Sequence, residues 1–122
     1  MKKKLILKEN KAFKRAYFRG KFKAHPLVVT YAVKNREKKL RIGITTSKKV
    51  GNAVARSRAR RIIRSAFDDI QKQTPLPTGY DIVFVARAAT PKAKSYDLER
   101  VISKQLTALF PNQFPIKKET TL

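Results

Sequence analysis

Apolar residues recur along this chain at two different spacings, and each change of spacing marks a new element. In residues 27–34, LVVTYAVK, β-branched and aromatic side chains run together, and residues 40–46 alternate Leu40, Ile42 and Ile44 with Arg41, Gly43 and Thr45. Both patterns predict strands, and a third strand is expected over residues 80–87. Between the second and third, Ala55, Ala59, Ile62, Ile63, Ala66, Phe67 and Ile70 fall at helical intervals. Placed at about 100° per residue they form one continuous stripe. Asn52 is the cap expected for this long helix, and Pro75, Pro77 and Gly79 require it to end before them. Two shorter helices are predicted. One covers residues 10–20, with Ala12, Phe13, Ala16, Tyr17 and Phe18, Asn10 as its cap and Gly20 as a left-handed stop. The other covers residues 95–110, with Leu98, Val101, Ile102, Leu106 and Leu109 at helical spacing. Residues 35–39 read as a charged hairpin turn between the first two strands.

The resulting order, α-β-β-α-β-α, is that of a single α+β domain with helices packed on a small sheet. A length of 122 residues leaves no room for a second core. A basic arm is expected at about residues 1–8 and a loose tail at about residues 111–122. Leu5, Ile6 and Leu7 either cover one edge of the core or belong to a solvated end. If the strands flanking the long helix are parallel neighbours, pattern alone predicts a right-handed crossover. Three apolar residues near the start fall far short of the roughly 7 to 15 of a signal peptide. No stretch approaches the roughly 20 apolar residues of a membrane span. A cytoplasmic chain with no membrane partner is the expectation.

Charge turns this domain into a binding surface. Thirty basic and eight acidic residues give a net charge of +22, which strains the compact state by self-repulsion and attracts polyanions. The distribution is more telling than the total. Residues 10–36 carry eight cations and residues 38–67 carry ten, with no acid in either block. On the long helix Arg60, Arg61 and Arg64 lie nearly opposite the apolar stripe, so a helix docked by that stripe presents guanidinium groups outward. Its apolar face is mainly Ala and Ile rather than the Trp, Phe or Leu of a membrane-surface helix, which favours a nucleic acid. Phe13, Tyr17 and Tyr31 lie among lysines and arginines. Such aromatics either belong to the core or stack single-stranded RNA.

The same residues argue against chemistry carried by this chain. The eight acids are scattered, whereas two-metal hydrolysis needs converging carboxylates. Asp68 and Asp69 are placed to offset Arg64 and Arg61 one turn earlier. His25, beside Pro26 in what reads as a basic loop, has no second histidine or cysteine with which to hold zinc. Absence of cysteine removes disulfides and thiolate nucleophiles, and neither Gly43 nor Gly51 opens a phosphate-binding loop. No catalytic residue and no metal ligand is expected.

The run SKKVGNAVARSRARRIIRSAF, residues 47–67, resembles the signature of the protein subunit of bacterial ribonuclease P, the ribonucleoprotein that removes the 5′ leader from precursor tRNA. The F-x-x-x-[FY] pattern at Phe13 and Tyr17, the strand over residues 28–31, RIGIT from Arg41 and YDIVFVAR from Tyr80 follow in the same order and spacing, so the likeness covers roughly residues 10–110. One departure is Ser57, where the family's R-N-R block carries asparagine. Serine reaches less far and offers one hydroxyl in place of an amide.

The resemblance implies a left-handed strand-helix-strand crossover, against the hand expected from pattern. It also implies an endoribonuclease whose catalysis belongs to a large RNA subunit, with Mg²⁺ held mainly by that RNA, and no obligate protein partner. By the same resemblance Lys48, Lys49, Asn52, Arg56, Ser57, Arg58, Arg60, Arg61 and Arg64 face the catalytic RNA. Phe13, Tyr17 and Tyr31, with Lys48 and Lys49 at the rim, take the single-stranded leader. The competing class is a structural ribosomal or other RNA-binding protein with no processing role. Joint presence of the basic signature and the aromatic helix in one short domain separates the two.

Overall fold

The computed structural model describes residues 5–111. The expected arm before residue 5 and the expected tail after residue 111 lie outside them. The elements are β1 (Leu5–Ile6), α1 (Asn10–Arg19), β2 (Lys21–His25), β3 (Val28–Lys34), β4 (Leu40–Thr45), α2 (Ala53–Gln73), β5 (Tyr80–Ala86) and α3 (Ser95–Leu109). They form one five-stranded mixed sheet in the order β1-β4-β5-β3-β2. β4 runs parallel to β1 and β5, while β3 is antiparallel to β5 and β2.

Alternation along the strands divides the apolar side chains between two faces. On one face Val28, Ile42, Ile82 and Phe84 meet Ala59, Ile63 and Phe67 of α2 and Leu98, Ile102 and Leu106 of α3, forming the main core. Phe67 and Phe84 are fully buried with ring centroids 5.5 Å apart, each contributing about 1.5 to 3 kcal/mol by its burial. On the other face α1 lays Ala12 and Ala16 on Val83, with Leu7 beside them and Phe13, Tyr31, Val33 and Val85 around the margin. Small residues on α1 let the helix sit close to the strands. A Cβ on Gly43 would come within 2.6 Å of the Phe13 ring and 3.2 Å of Leu7 Cβ.

Backbone chirality fixes the hand of the β4-α2-β5 crossover. Leu7 N–H donates to the Ile42 carbonyl (2.8 Å), so that carbonyl points toward β1, while the Ile42 side chain points into the α2 layer. For an L-residue on a strand running upward with its side chain toward the viewer, the carbonyl points right. β1 therefore lies to the right of β4 and β5 to the left. The chain leaves β4, passes in front as α2 and re-enters the sheet leftward, which is a left-handed crossover and the reverse of the usual rule.

Four further expectations from pattern are corrected. Residues 35–39 do not close a hairpin, because β5 lies between β3 and β4 and pairs with both. Residues 21–25, assigned to no element apart from His25 in a basic loop, form β2; lysines at every second position mask the alternation of an exposed edge strand, and His25 ends it with Nδ1 accepting from Leu27 N–H (3.0 Å). Asn10 is the first helical residue of α1, and the cap position is Glu9, with no capping side chain. Gly20 follows α1 in extended conformation (φ −78°, ψ 160°), not left-handed. Glycine is needed there for space, since a Cβ would meet the Ala16 carbonyl oxygen at 2.5 Å and that of Ala32 at 2.9 Å.

Candidate nucleic-acid interface

α2 is anchored before it begins. Val50 is buried in a short 3-10 turn, Lys48–Val50, which leaves Lys48 and Lys49 exposed. Ser47 Oγ accepts from Lys49 N–H (3.2 Å) and steadies that turn. Gly51 then takes φ 141°, ψ −160°, a conformation in which a side chain would be strained and its Cβ would touch Ala55 Cβ at 2.8 Å. Asn52 caps α2 as expected, its Oδ1 accepting from Ala55 N–H (2.9 Å).

The apolar stripe of α2 is buried at Ala59, Ile63, Ala66, Phe67 and Ile70, with Ala55 and Ile62 at its half-buried edges. The arginines that result are of two kinds. Arg56 folds back so that Nη1 donates to the Gly51 carbonyl (2.7 Å). Arg60 is half-buried, with Nη1 donating to Thr46 Oγ1 (2.7 Å) and Nη2 to Ser57 Oγ (3.4 Å). The side chains of Arg58, Arg61 and Arg64 are exposed and make no hydrogen bond or ion pair among the described residues. Arg60 thus leaves the outward row expected of it and ties the helix to the end of β4. Ser57, in the position of the departure, is exposed beside that tether.

The aromatic residues meet on the opposite face of the sheet. Tyr17 and Tyr31 lie edge to face with centroids 5.1 Å apart, and Tyr31 stacks on Phe22 at 5.3 Å. Tyr17 Oη and Thr45 Oγ1 share a hydrogen bond (2.7 Å). Phe13 is half-buried, Tyr17 is 38% exposed and Phe22 55%. The row therefore grades from core to solvent. Beside it Asn10, Phe13, Lys14 and Tyr17 of α1 face Ile44, Thr45 and Thr46 across a groove of about 460 Å³. β1 is only two residues long, so β4 beyond Ile42 has an open edge at this groove. Thr46 leads directly into the Lys48–Val50 turn, so the groove ends where the exposed lysines begin. Phe13, Tyr17 and Tyr31 are brought together, while Arg58, Arg61 and Arg64 belong to the other layer.

Sequence reasoning missed Phe22 and Lys14 in this site. Phe22 was legible in principle: K-F-K-A-H followed by Pro26 is a period-two run ending in a turn. It also missed a buried polar hub. Asp81, fully buried on β5, accepts from Arg41 Nε (2.7 Å) and Nη2 (2.8 Å), from Asn35 Nδ2 (2.7 Å) and, more loosely, from Arg15 Nη2 (3.4 Å). Its hydrogen bond to Arg41 raises that guanidinium's pKa, against the lowering effect of burial. Arg15 lies on α1, so the hub fastens α1 to the sheet beneath the aromatic row. Among the described residues no three His, Cys, Asp or Glu side chains come together to hold a metal. Asp81 is already engaged by two guanidinium groups and an amide, so the donor set does not fit a resident ion. No described helix is long and apolar enough to cross a membrane.

Known proteins are similar to this chain in sequence and in fold. The ribonuclease P family model matches residues 1–109. The ribonuclease P protein component of Clostridioides difficile (strain 630) is 38% identical over 96 residues, 79% of this chain and 83% of that protein. That of Clostridium kluyveri is 40% identical over 90 residues, covering 74% and 80%. The solved structure of the Staphylococcus aureus RNase P protein superimposes with a TM-score of 0.74 at 29% identity, covering 93% of this chain and 100% of that one. A family match over nearly the whole described chain, with relatives at this identity and a shared fold, places the chain in the ribonuclease P protein family.

Proposed function

We propose that this chain assists RNA-catalysed removal of the 5′ leader from precursor tRNA by holding two RNAs at once. The catalytic RNA lies along the arginine face of α2 and the lysine turn before it. The single-stranded leader lies in the groove between α1 and the sheet, its bases against Tyr17, Tyr31 and Phe22 and its phosphates toward Lys14, Lys48 and Lys49. The observation that carries this reading is the graded aromatic row on one face, beside a groove that ends at the Thr46 corner from which the arginine helix departs on the other. Base stacking on such rings is worth about 1 to 3 kcal/mol per base and tolerates sequence. Contacts remote from the scissile phosphate position the substrate, while the cations screen repulsion between the two RNAs. Mg²⁺ and the bond-breaking step belong to the RNA in this scheme, and no side chain of this protein is assigned a catalytic role.

Reconstitution tests it. With a bacterial ribonuclease P RNA and precursor tRNA at low Mg²⁺, the chain should raise cleavage above RNA alone, and the chain by itself should cleave nothing. RNA binding without any gain in cleavage would instead make it a structural RNA-binding protein.

A further inference from the structure

The aromatic row does not end inside the groove. Its last member, Phe22, lies on β2, which is the outermost strand of the sheet and exposed along nearly its whole length. Side chains alternate across a strand, so Phe22 faces the α1 layer with Tyr31 while its neighbour Lys23 faces the α3 layer. There, between β2 and α3, lies a groove of about 580 Å³ that the leader reading above does not use. Leu27 and Val101 supply apolar wall, and Lys23, Arg100 and Lys104 supply charge. Among the described residues Asp97 is the only carboxylate lining it. That carboxylate is occupied, with Oδ2 accepting from Lys94 N–H at 3.3 Å and Oδ1 lying 3.6 Å from Arg100.

The groove is also held rigidly. Gln105, buried on α3, donates through Nε2 to the carbonyls of Lys23 (3.1 Å) and Val28 (3.0 Å), and its Oε1 accepts from Thr30 Oγ1 (2.5 Å). These bonds fix α3 against the β2–β3 hairpin, so the two lysines keep their relation to each other and to Phe22. As the edge strand among the described residues, β2 also turns backbone N–H groups outward, donors suited to phosphate oxygens.

From the continuity of Phe22 with Lys23 and from the sign of the charge, we infer that the β2–α3 groove is a second single-strand subsite. It takes the sugar-phosphate backbone of leader nucleotides beyond those stacked on the aromatic row, after the strand has passed over the β2 edge. This rests on the leader reading proposed above, which it extends. Phosphate contact by lysines carries no base preference, so the subsite adds affinity with leader length and not with leader sequence.

The experiment uses the holoenzyme reconstituted with its RNA, precursor tRNAs bearing leaders of increasing length, and leaderless tRNA, with affinity measured against salt. For the unaltered protein affinity should rise with leader length in two stages. In the Lys23→Ala, Lys104→Ala variant the second stage should vanish, and the salt slope for the longest leader should fall by about 1.4, or about 0.7 for each of two phosphates bound on a single strand. Leaderless and short-leader binding should stay unchanged, and Lys23→Arg with Lys104→Arg should restore the slope. A second stage that survives in the alanine variant overturns the subsite, while Tyr31→Ala still weakening short-leader binding keeps the aromatic groove. An equal loss on leaderless tRNA also overturns it, assigning the two lysines to another part of the complex. If leader length and Tyr31→Ala are both without effect, the leader reading itself fails.

Discussion

Tyr31 and Asp81 occupy neighbouring strands of one sheet face, and they separate binding from stability residue by residue. Tyr31 is half-buried, sandwiched between Tyr17 and Phe22 at the margin of the α1 layer. Tyr31→Ala is therefore expected to weaken precursor tRNA by about 1 to 3 kcal/mol, the worth of one stacked base, and to leave mature tRNA unchanged, since only the precursor carries a leader. Equal losses on both, measured by paired binding titrations, would return Tyr31 to a purely structural role. Asp81 is the opposite case. It is wholly buried, whereas Arg41 and Arg15 remain 21% and 35% exposed. Asp81→Asn removes the charge that both guanidinium groups share, and removing one partner of a buried pair typically costs about 3 to 5 kcal/mol. Urea denaturation should show that loss as a lowered midpoint with an unchanged slope. An Asp81→Asn protein as stable as the parent would mean that the neutral amide serves Arg41 and Asn35 as well as the carboxylate does.

Scaled up to elements, the long helix was the most legible part of the chain and the edge strands the least. α2 could be placed because its stripe, its asparagine cap and its proline-rich exit agree with one another, and all three are local signals. β2 and β1 escaped notice because an edge strand buries one side weakly or not at all, and lysine on such a strand is a device against edge-to-edge pairing. Position of β5 between β3 and β4 is a long-range fact that no window of sequence contains. The same limit hid the Asp81 hub, whose partners are 40 to 66 residues away in the chain. It also misplaced Arg60, which a helical wheel turns outward but whose long side chain reaches back to Thr46. The glycine at position 43 shows how packing between elements shapes the candidate site. Its missing side chain is the space occupied by the Phe13 ring. Gly43→Ala should force that ring and α1 outward, lowering stability by about 1 to 3 kcal/mol as overpacking does and weakening precursor more than mature tRNA. Unchanged precursor selectivity in a stable Gly43→Ala protein would uncouple the position of α1 from the groove.

For the molecule as a whole, the dominant fact is a charge of +22 on 122 residues. Folding gathers those cations, so the native state concentrates positive potential that the unfolded chain spreads out. Anything that binds the gathered form stabilises it by mass action, about 2.7 kcal/mol at a ligand concentration one hundred times its dissociation constant. Phosphate or sulfate should therefore raise the melting temperature of the free protein. Two mechanisms compete for that result, since both anions also stabilise proteins generally through exclusion from the surface. They differ in form. Site binding saturates at low concentration and depends on particular cations, whereas exclusion grows steadily with salt and is indifferent to them. Arg58, Arg61 and Arg64 are the exposed, uncommitted arginines of α2, so Arg61→Ala with Arg64→Ala should remove much of the saturable rise and leave the linear one. The same double variant should flatten the salt dependence of catalytic-RNA binding by up to about 0.9 for each duplex phosphate that is no longer neutralised. Arg56→Ala and Arg60→Ala are poorer probes, because both side chains also brace the start of α2 and would lower stability for that reason. Melts at constant ionic strength, exchanging chloride for phosphate, read the saturable part directly. A rise that is linear throughout, or identical in parent and variant, would show that the arginine face of α2 does not gather anions in the free protein, and its role would then have to arise only against folded RNA.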